Sequence, residues 1–101
     1  MKVVWTDRAK ARLKKVHAEI AEHNPKAADD LVRRLVSRSL QLQTVARSGP
    51  KVPEYDCDDI RELKARPYRI IYQLGERVDV LTIMHSRQLL PVDVQGLYER
   101  D

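Results

Sequence analysis

The sequence predicts an α+β domain in which an N-terminal strand and an antiparallel helical hairpin pack on a small, mainly antiparallel sheet. Three observations lead to this fold class: a short β-branched segment at the start, two consecutive amphipathic helices, and three closely spaced strand candidates after a loop. With 101 residues, of which 43% are hydrophobic, the chain is expected to form one domain over residues 1–101 around a single core.

The first strand is predicted over residues 2–5, which are β-branched and end in an aromatic ring. Thr6 or Asp7 then provides the N-cap of a helix that ends near His23. Apolar residues recur along this helix at spacings of four, three and four, at Ala9, Leu13, Val16 and Ile20.

A second helix starts directly after the first, at Asn24 and Pro25. Asparagine is a good N-cap, and proline fits the first turn of a helix. This helix is predicted to run to about Val45, with an apolar side formed by Ala28, Leu31, Leu35 and Leu42. So short a connection predicts an antiparallel helical hairpin.

A loop over residues 46–59 precedes three predicted strands at residues 60–65, 68–74 and 78–85. Their short connections predict an antiparallel meander, and the last strand is expected to lie inside the sheet because both of its faces are apolar. Strict alternation would place Val78, Val80, Thr82 and Met84 on one face of that strand, and Asp79, Leu81, Ile83 and His85 on the other. A short terminal helix is predicted to contain Val94, Leu97 and Tyr98.

Composition excludes several classes of protein. The lone Cys57 cannot form an internal disulfide, and no metal-ligand spacing, glycine-rich phosphate loop or other cofactor motif is present. The N-terminus has neither a signal peptide nor a membrane-spanning stretch, so we expect a cytoplasmic protein without a metal or cofactor. Residues 1–53 hold 12 Lys and Arg against 5 acidic residues, and residues 54–101 hold 7 against 10. The basic character therefore belongs to the helices, where it indicates either a solvated surface or an acidic partner.

A cationic group is predicted at one edge of the sheet, formed by Arg61, Arg69, His85 and Arg87. Neighbouring strands lie about 5 Å apart, so these side chains could converge if the register is favourable. The alternative is that Arg69 forms an ion pair with Glu62 or Asp79 and that His85 only caps the end of a strand.

The order of elements and several motifs together resemble the ParE/RelE superfamily of small bacterial toxins, and the ParE-like branch most closely. The matching motifs are V-V-W-T, N-P-K-A-A-D-D-L, V-P-E, R-E-L, P-Y-R-I-I-Y and V-D-V-L-T-I-M-H-S-R. This resemblance covers nearly the whole chain, from Lys2 to about Leu90. It implies the toxin of a type II toxin-antitoxin pair, neutralised by a small antitoxin encoded in the same operon.

Two activities occur in this superfamily, and the fold alone does not choose between them. The RelE-like branch cuts mRNA on the ribosome without a metal, and the resemblance then implies catalytic roles for Glu54, Arg69, His85 and Arg87. The ParE-like branch binds and inhibits DNA gyrase without catalysis, and the resemblance then implies target contacts by Arg61, Arg69, His85 and Arg87.

The ParE-like activity is preferred because the sheet half of the chain is acidic. Glu54 is followed by Asp56, Asp58 and Asp59, which would repel RNA phosphates, and Arg87 stands where the nuclease branch often has a histidine. A domain that binds an antitoxin without being toxic is a third hypothesis.

The antitoxin is expected to lay an apolar, helical segment over the grooves beside the helical hairpin and to form a hetero-oligomer with the toxin. Its acidic residues would meet basic residues on the two helices, namely Arg12, Lys15, Arg34 and Arg38.

Overall fold

The structure is a computed structural model that describes residues 1–88 and 90. Its elements are β1 (Val3–Trp5), α1 (Asp7–Ala21), α2 (Pro25–Leu40), β2 (Ile60–Ala65), β3 (Tyr68–Leu74) and β4 (Val78–His85). The α+β fold class is confirmed, and β2, β3 and β4 have the predicted bounds. The predicted terminal helix around Val94, Leu97 and Tyr98 lies outside the described residues.

Side-chain caps start both helices. The hydroxyl of Thr6 accepts a hydrogen bond from the backbone N–H of Ala9 at 3.1 Å. The side-chain oxygen of Asn24 accepts one from the N–H of Ala27 at 3.0 Å, and Pro25 follows in the first turn. Each cap satisfies a donor that the first turn would otherwise leave without a partner, so the two helices start where the sequence predicts.

The prediction that α2 continues to about Val45 is wrong. The α-helix ends at Leu40, and Gln41–Gln43 forms a tighter 3₁₀ turn in which Leu42 is fully buried. Leu42 lies seven residues after Leu35, which is close to two helical turns, so the apolar spacing cannot reveal that the last turn tightens.

The sheet has the strand order β1-β4-β3-β2. The pairs β2–β3 and β3–β4 are antiparallel, whereas β1 pairs with β4 in parallel. The interior position of β4 is therefore confirmed, and β1 and β2 are the two edge strands. On one face of the sheet, α1 packs on β4 and α2 packs on β2.

Strict alternation along β4 is wrong because the β3–β4 ladder contains an irregularity. Ile71 pairs with Thr82, but the next residue, Tyr72, pairs with Val80, so β4 has one extra residue at this point. After it, Ile83 returns to the helix-covered face that Val80 occupies, while Leu81 and Met84 lie on the opposite face.

Apolar residues are buried on both faces of the sheet. The larger cluster lies under the helices and includes Leu35, Ile70 and Tyr72. A second cluster covers the opposite face, where Val52 and Tyr55 of the loop pack together with Ile71, Leu81 and Leu90. The long loop over residues 46–59 thus covers part of the second core and brings its own side chains to that face.

A buried tyrosine holds the beginning of this loop. The hydroxyl of Tyr72 donates to the carbonyl of Ala46 at 2.8 Å and accepts from the N–H of Gly49 at 3.2 Å. Burial raises the pKa of Tyr72, which keeps the hydroxyl protonated as a donor. Arg61 also donates to the carbonyl of Gly49, at 2.9 Å. These hydrogen bonds fix the loop to the sheet at Ala46 and at Gly49.

Candidate functional site

A buried ion cluster lies on the sheet face opposite the helices. The guanidinium of Arg69 forms two parallel hydrogen bonds of 2.8 Å with the carboxylate of Glu54, and a third of 2.9 Å with Glu62. The side chains of Arg69, Glu54 and Glu62 are 9%, 19% and 6% exposed. This two-pronged geometry is the strongest that arginine forms with a carboxylate, and it occupies both terminal nitrogens of Arg69.

The strand register explains how Glu62 reaches Arg69. Lys64 of β2 pairs with Arg69 of β3, so Glu62, two residues earlier, lies diagonally across on the same face. Pairing with Glu62 was one of the two ion pairs predicted for Arg69, and it is confirmed. Pairing with Asp79 is wrong, because Asp79 instead binds Arg77 at 2.9 Å.

Sequence reasoning did not find that Glu54 is the main partner of Arg69. Fifteen residues separate the two in the chain, and Glu54 belongs to the loop, whose path no periodicity predicts. The hydrogen bonds from Arg69 lower the pKa of Glu54, and the two carboxylates raise the pKa of Arg69. Glu54 and Arg69 therefore stay charged at neutral pH.

The same cluster holds the chain after β4. Arg69 donates to the carbonyl of Gln88 at 3.4 Å, and the N–H of Leu90 donates to Glu54 at 3.3 Å. Leu90 is 6% exposed and packs in the second core. One guanidinium thus joins the loop, β2, β3 and the segment that follows β4.

A cavity of about 660 Å³ opens above the cluster. Pro53, Pro67 and Tyr68 contribute apolar wall, while Lys64 and Arg66 are exposed at its sides. The cluster itself adds two negative charges and one positive charge to the lining. Arg69 at the base of the cavity therefore has no free terminal nitrogen for a phosphate, whereas Arg66 and Lys64 are exposed at its rim.

The predicted convergence of Arg61, Arg69, His85 and Arg87 does not occur. Arg61 precedes Glu62 by one residue and so lies on the helix-covered face, where it donates to the carbonyls of Gly49 and Asp58. Arg69, in contrast to Arg61, lies on the opposite face. The physical reason is the two-residue period of a strand, which separates neighbouring positions however close they are in sequence.

His85 and Arg87 lie at the exposed end of β4. The ring of His85 makes an edge-to-face contact with Tyr68, with centroids 5.7 Å apart, and its Nδ1 accepts from the N–H of Arg87 at 3.2 Å. His85 also ends the strand, since its N–H donates to the side chain of Gln88 at 2.9 Å. The alternative interpretation of His85 as a strand-end residue therefore agrees with these contacts, and Arg87 remains exposed.

The four basic helix residues do not form one surface. Arg34 and Arg38 reach down to the sheet and donate to the carbonyls of Arg66 and Lys64, at 2.7 and 3.1 Å. On α1, His17 faces α2 and contacts Asp29 at 2.8 Å. Lys15 precedes His17 by two residues and so lies about 160° around the helix from it.

Arg12 and Lys15 are therefore on the flank of α1 that faces away from α2, because residues three apart share a helix face. Arg34 and Arg38 lie at the other side of the hairpin, over β2. A single short segment bound along the hairpin would not contact both pairs at once.

Residues 1–88 and 90 contain neither a membrane-spanning helix nor a metal-binding cluster. No helix in this part of the chain is long and apolar enough to cross a membrane. No group of three or more His, Cys, Asp or Glu side chains there is arranged to hold a metal ion.

Comparisons with known proteins agree with the resemblance stated for the sequence. The family model described as "ParE toxin of type II toxin-antitoxin system, parDE" matches residues 3–90. The protein named "Putative toxin Y4kP" from Sinorhizobium fredii (strain NBRC 101917 / NGR234) is 32% identical over 95 residues, which are 89% of this chain and 93% of that protein.

A solved structure described as "Chromosomal ParDE TA system from P. aeruginosa" is also similar. It has a TM-score of 0.70 and 25% sequence identity, covering 84% of this chain and 95% of that chain. The predicted membership in the ParE/RelE superfamily, closer to ParE, is thereby confirmed. The chain belongs to the ParE toxin family and is the toxin component of a type II toxin-antitoxin system.

Proposed function

We propose that this toxin acts by binding DNA gyrase and does not cut mRNA. The observation that carries the proposal is that the guanidinium of Arg69 is already engaged in ion pairs with Glu54 and Glu62. Cutting RNA without a metal requires cations around the phosphate as negative charge grows in the transition state. Here the arginine that the nuclease resemblance would assign to this role is already neutralised by carboxylates.

The charge of the surrounding loop supports the same choice. The loop that carries Glu54 also carries three exposed acids, Asp56, Asp58 and Asp59. Lys51 forms an ion pair with Asp58 at 3.2 Å. These carboxylates do not line the cavity, but their negative charge on the same loop as Glu54 would weaken the attraction of a polyanion to this face. A protein target is under no such constraint, since protein surfaces carry both signs of charge.

Of the four residues predicted to contact the target, we propose that His85 and Arg87 do so directly. They lie at the end of β4, next to the cavity, and Arg87 is exposed. Arg61 and Arg69 act indirectly, by holding the loop and the segment after β4 in place. Gyrase acts on chromosomal DNA, so a cytoplasmic location belongs to this proposal.

Two assays with the purified toxin test this function. We expect inhibition of gyrase supercoiling with accumulation of cleavage complexes, and no mRNA cutting in a ribosome-dependent translation system. Arg87→Ala should weaken gyrase inhibition about tenfold, since exposed arginines at the centre of an interface often contribute about 1.4 kcal/mol or more. Arg77→Ala is the matched control, because Arg77 is an exposed arginine paired with Asp79 at the β3–β4 turn.

The opposite pattern would reverse the assignment. Cutting of mRNA by the wild-type toxin, lost in Arg87→Ala while supercoiling is unaffected, would identify a ribonuclease of the RelE type. Loss of activity in both arginine variants alike would mean that Arg87 has no special role in target binding.

We also propose where a helical segment of the antitoxin docks. A groove of about 350 Å³ between the helices is lined by Leu13, His17 and Val32 together with the stem of Lys14. Val36 and Leu40 continue this apolar row along α2 and are 36% and 47% exposed. Exposed apolar residues spaced four apart on a helix are suited to the apolar face of a partner helix.

A pair of substitutions tests this docking groove. Leu40→Glu should weaken binding of the operon-encoded antitoxin by about 100-fold, because it places a charge in a desolvated contact. Ser86→Glu introduces the same charge at an exposed position beside the cavity on the other face of the sheet and should change antitoxin affinity little. Equal affinities for the two variants would exclude the groove as the docking site.

A further inference from the structure

Along β2, the chain satisfies outward backbone groups of the sheet with its own loop. The N–H of Val52 donates to the carbonyl of Ile60 at 3.2 Å. The N–H of Glu62 in turn donates to the carbonyl of Pro50 at 3.0 Å. The loop thus covers the outer edge of β2, which prevents a further strand from adding there.

At the end of β4, the side chain of Gln88 takes the place of a neighbouring strand. β1 pairs with β4 only from Val78 to Val80, so this pairing ends before His85. The N–H of Ser86 donates to the carbonyl of Pro67, just before β3, at 2.7 Å, and alternation along a strand directs the N–H of His85 to the other side. There the N–H of His85 donates to the side-chain Oε1 of Gln88 at 2.9 Å.

Residues 85–88 form a tight turn that is closed by two hydrogen bonds between its ends. The N–H of Gln88 donates to the carbonyl of His85 at 2.9 Å, which is the closing bond of a four-residue β-turn. The bond from the N–H of His85 to the side chain of Gln88 closes the turn a second time. Arg69 also donates to the carbonyl of Gln88, at 3.4 Å. The backbone of the turn is therefore held at its start and at its end.

Arg87 lies at the tip of this turn as its third residue. Its N–H donates to Nδ1 of His85 at 3.2 Å, so its backbone is held as well. Its side chain is exposed, and within residues 1–88 and 90 its guanidinium forms no ion pair. The turn thus combines an ordered backbone with an unpaired cation, which lowers the entropic cost of binding a partner through that cation.

We propose that Gln88 is a positioning residue for target binding, because its side chain holds the 85–88 turn in the conformation that presents Arg87 to DNA gyrase. This inference rests on the proposed function, in which Arg87 contacts the target. Gln88 acts through the backbone of the turn and does not itself contact gyrase. Without its Oε1, the N–H of His85 bonds to water, and the turn gains other conformations that gyrase binding must then restrict.

A double-mutant cycle on gyrase affinity tests this role. Gln88→Met keeps the length of the side chain, removes the acceptor, and should weaken gyrase binding about fivefold. Arg87→Ala should weaken it about tenfold, as stated above. The double variant should also bind only about tenfold more weakly, because the turn then has no guanidinium to present. A loss of about 50-fold in the double variant, or none in Gln88→Met, would overturn the proposal.

Two further variants test whether the acceptor oxygen is the decisive group. Gln88→Glu retains an oxygen that can accept from His85, so its gyrase affinity should stay within about twofold of wild type. Gln43→Met makes the same chemical change at an exposed glutamine of the 3₁₀ turn after α2 and should leave gyrase affinity unchanged. Equal losses in Gln88→Glu and Gln88→Met, or in the variants at positions 43 and 88, would contradict the positioning role.

Amide hydrogen exchange on the free toxin tests the lock without any partner. The amide of His85 should exchange at least about fivefold faster in Gln88→Met than in the wild-type protein, since it loses its acceptor. The thermal unfolding midpoint and the affinity for the operon-encoded antitoxin should stay unchanged, because Gln88 is exposed and lines the cavity away from the helical groove. A loss of antitoxin affinity in Gln88→Met would indicate a general effect on folding and overturn the proposal.

The outcomes separate this inference from the proposed function. Wild-type toxin that leaves gyrase active would contradict the proposed function, and the positioning role would be lost with it. Wild-type toxin that inhibits gyrase no better than Gln88→Met would contradict the positioning role alone and leave gyrase as the target.

Discussion

Replacement of Arg69 by methionine is expected to lower the free energy of unfolding by about 3–5 kcal/mol at neutral pH. The substitution keeps the length and packing of the stem but leaves Glu54 and Glu62 buried together without a cation. Two like charges in a poorly solvated site then repel each other, in addition to losing three hydrogen bonds to the guanidinium. Urea unfolding of the two proteins at pH 7 measures the loss.

The difference in unfolding free energy between the wild-type protein and the Arg69→Met variant should become smaller at acidic pH. In the wild-type protein Arg69 lowers the pKa of Glu54, so the unfolded chain binds more protons than the folded one below the ordinary pKa of a glutamate. Wild-type stability therefore falls as the pH decreases through the folded-state pKa of Glu54. The variant lacks this cation and gains stability when its carboxylates are protonated, so the two unfolding free energies approach each other.

The control for this prediction is Arg77→Met, which breaks an ion pair between side chains that are 57% and 26% exposed. Exposed pairs contribute about 0–1 kcal/mol, so this variant should remain close to wild type. Similar losses for the Arg69 and Arg77 variants would contradict the idea that the buried cluster holds the second core together.

A methyl group at position 49 is expected to destabilise the protein by about 3 kcal/mol or more. A Cβ added to Gly49 would lie 2.3 Å from the backbone oxygen of Glu62 and 2.6 Å from the hydroxyl of Tyr72. The loop would have to move away from β2, which would also break the hydrogen bond from the N–H of Gly49 to Tyr72. Gly49 is thus required for a close approach of two backbones.

Gly75 offers a matched control for the Gly49→Ala variant. The nearest atom to a Cβ at Gly75 is the carbonyl oxygen of Arg77 at 3.7 Å, an ordinary contact distance. Gly75→Ala should therefore change the thermal unfolding midpoint little, whereas Gly49→Ala should lower it by about 12 °C or more, since each kcal/mol shifts the midpoint of a domain of this size by about 4–8 °C. If the two alanine variants have the same midpoint, the loop is free to move and does not require glycine.

The ion cluster and Gly49 belong to one structural unit, because both attach the 46–59 loop to the sheet. Arg69 holds the end of the loop through Glu54, and Tyr72 holds its beginning. The second core, including Leu90, depends on this attachment. A change in either anchor is therefore expected to alter the cavity and the end of β4, where we propose that the target binds.

Local patterns were sufficient to predict most of the fold. The caps at Thr6 and Asn24, the short turns at Arg66-Pro67 and Gly75, and the apolar strands depend on neighbouring residues, so they can be read directly from the sequence. The predicted family also follows from the order of such motifs along the chain.

The site was predicted less completely because its contacts join distant segments. The sequence offered Glu62 as a partner for Arg69, since both lie on neighbouring strands with short connections. It could not offer Glu54, whose position depends on how a 14-residue loop folds back over the sheet. It also placed Arg61 with Arg69, although one residue of difference in register puts them on opposite faces.

The sequence by itself determined the α+β architecture, the single helical hairpin and the identity of the family, because periodicity, caps and turns are local properties. Only the tertiary structure decided that Arg69 is neutralised by Glu54 and Glu62, and that the outer edge of β2 is covered by the chain's own loop. Both features depend on the register of β2 with β3 and on the path of the 46–59 loop. These features are set by packing between segments far apart in the chain, and no short stretch of residues encodes them.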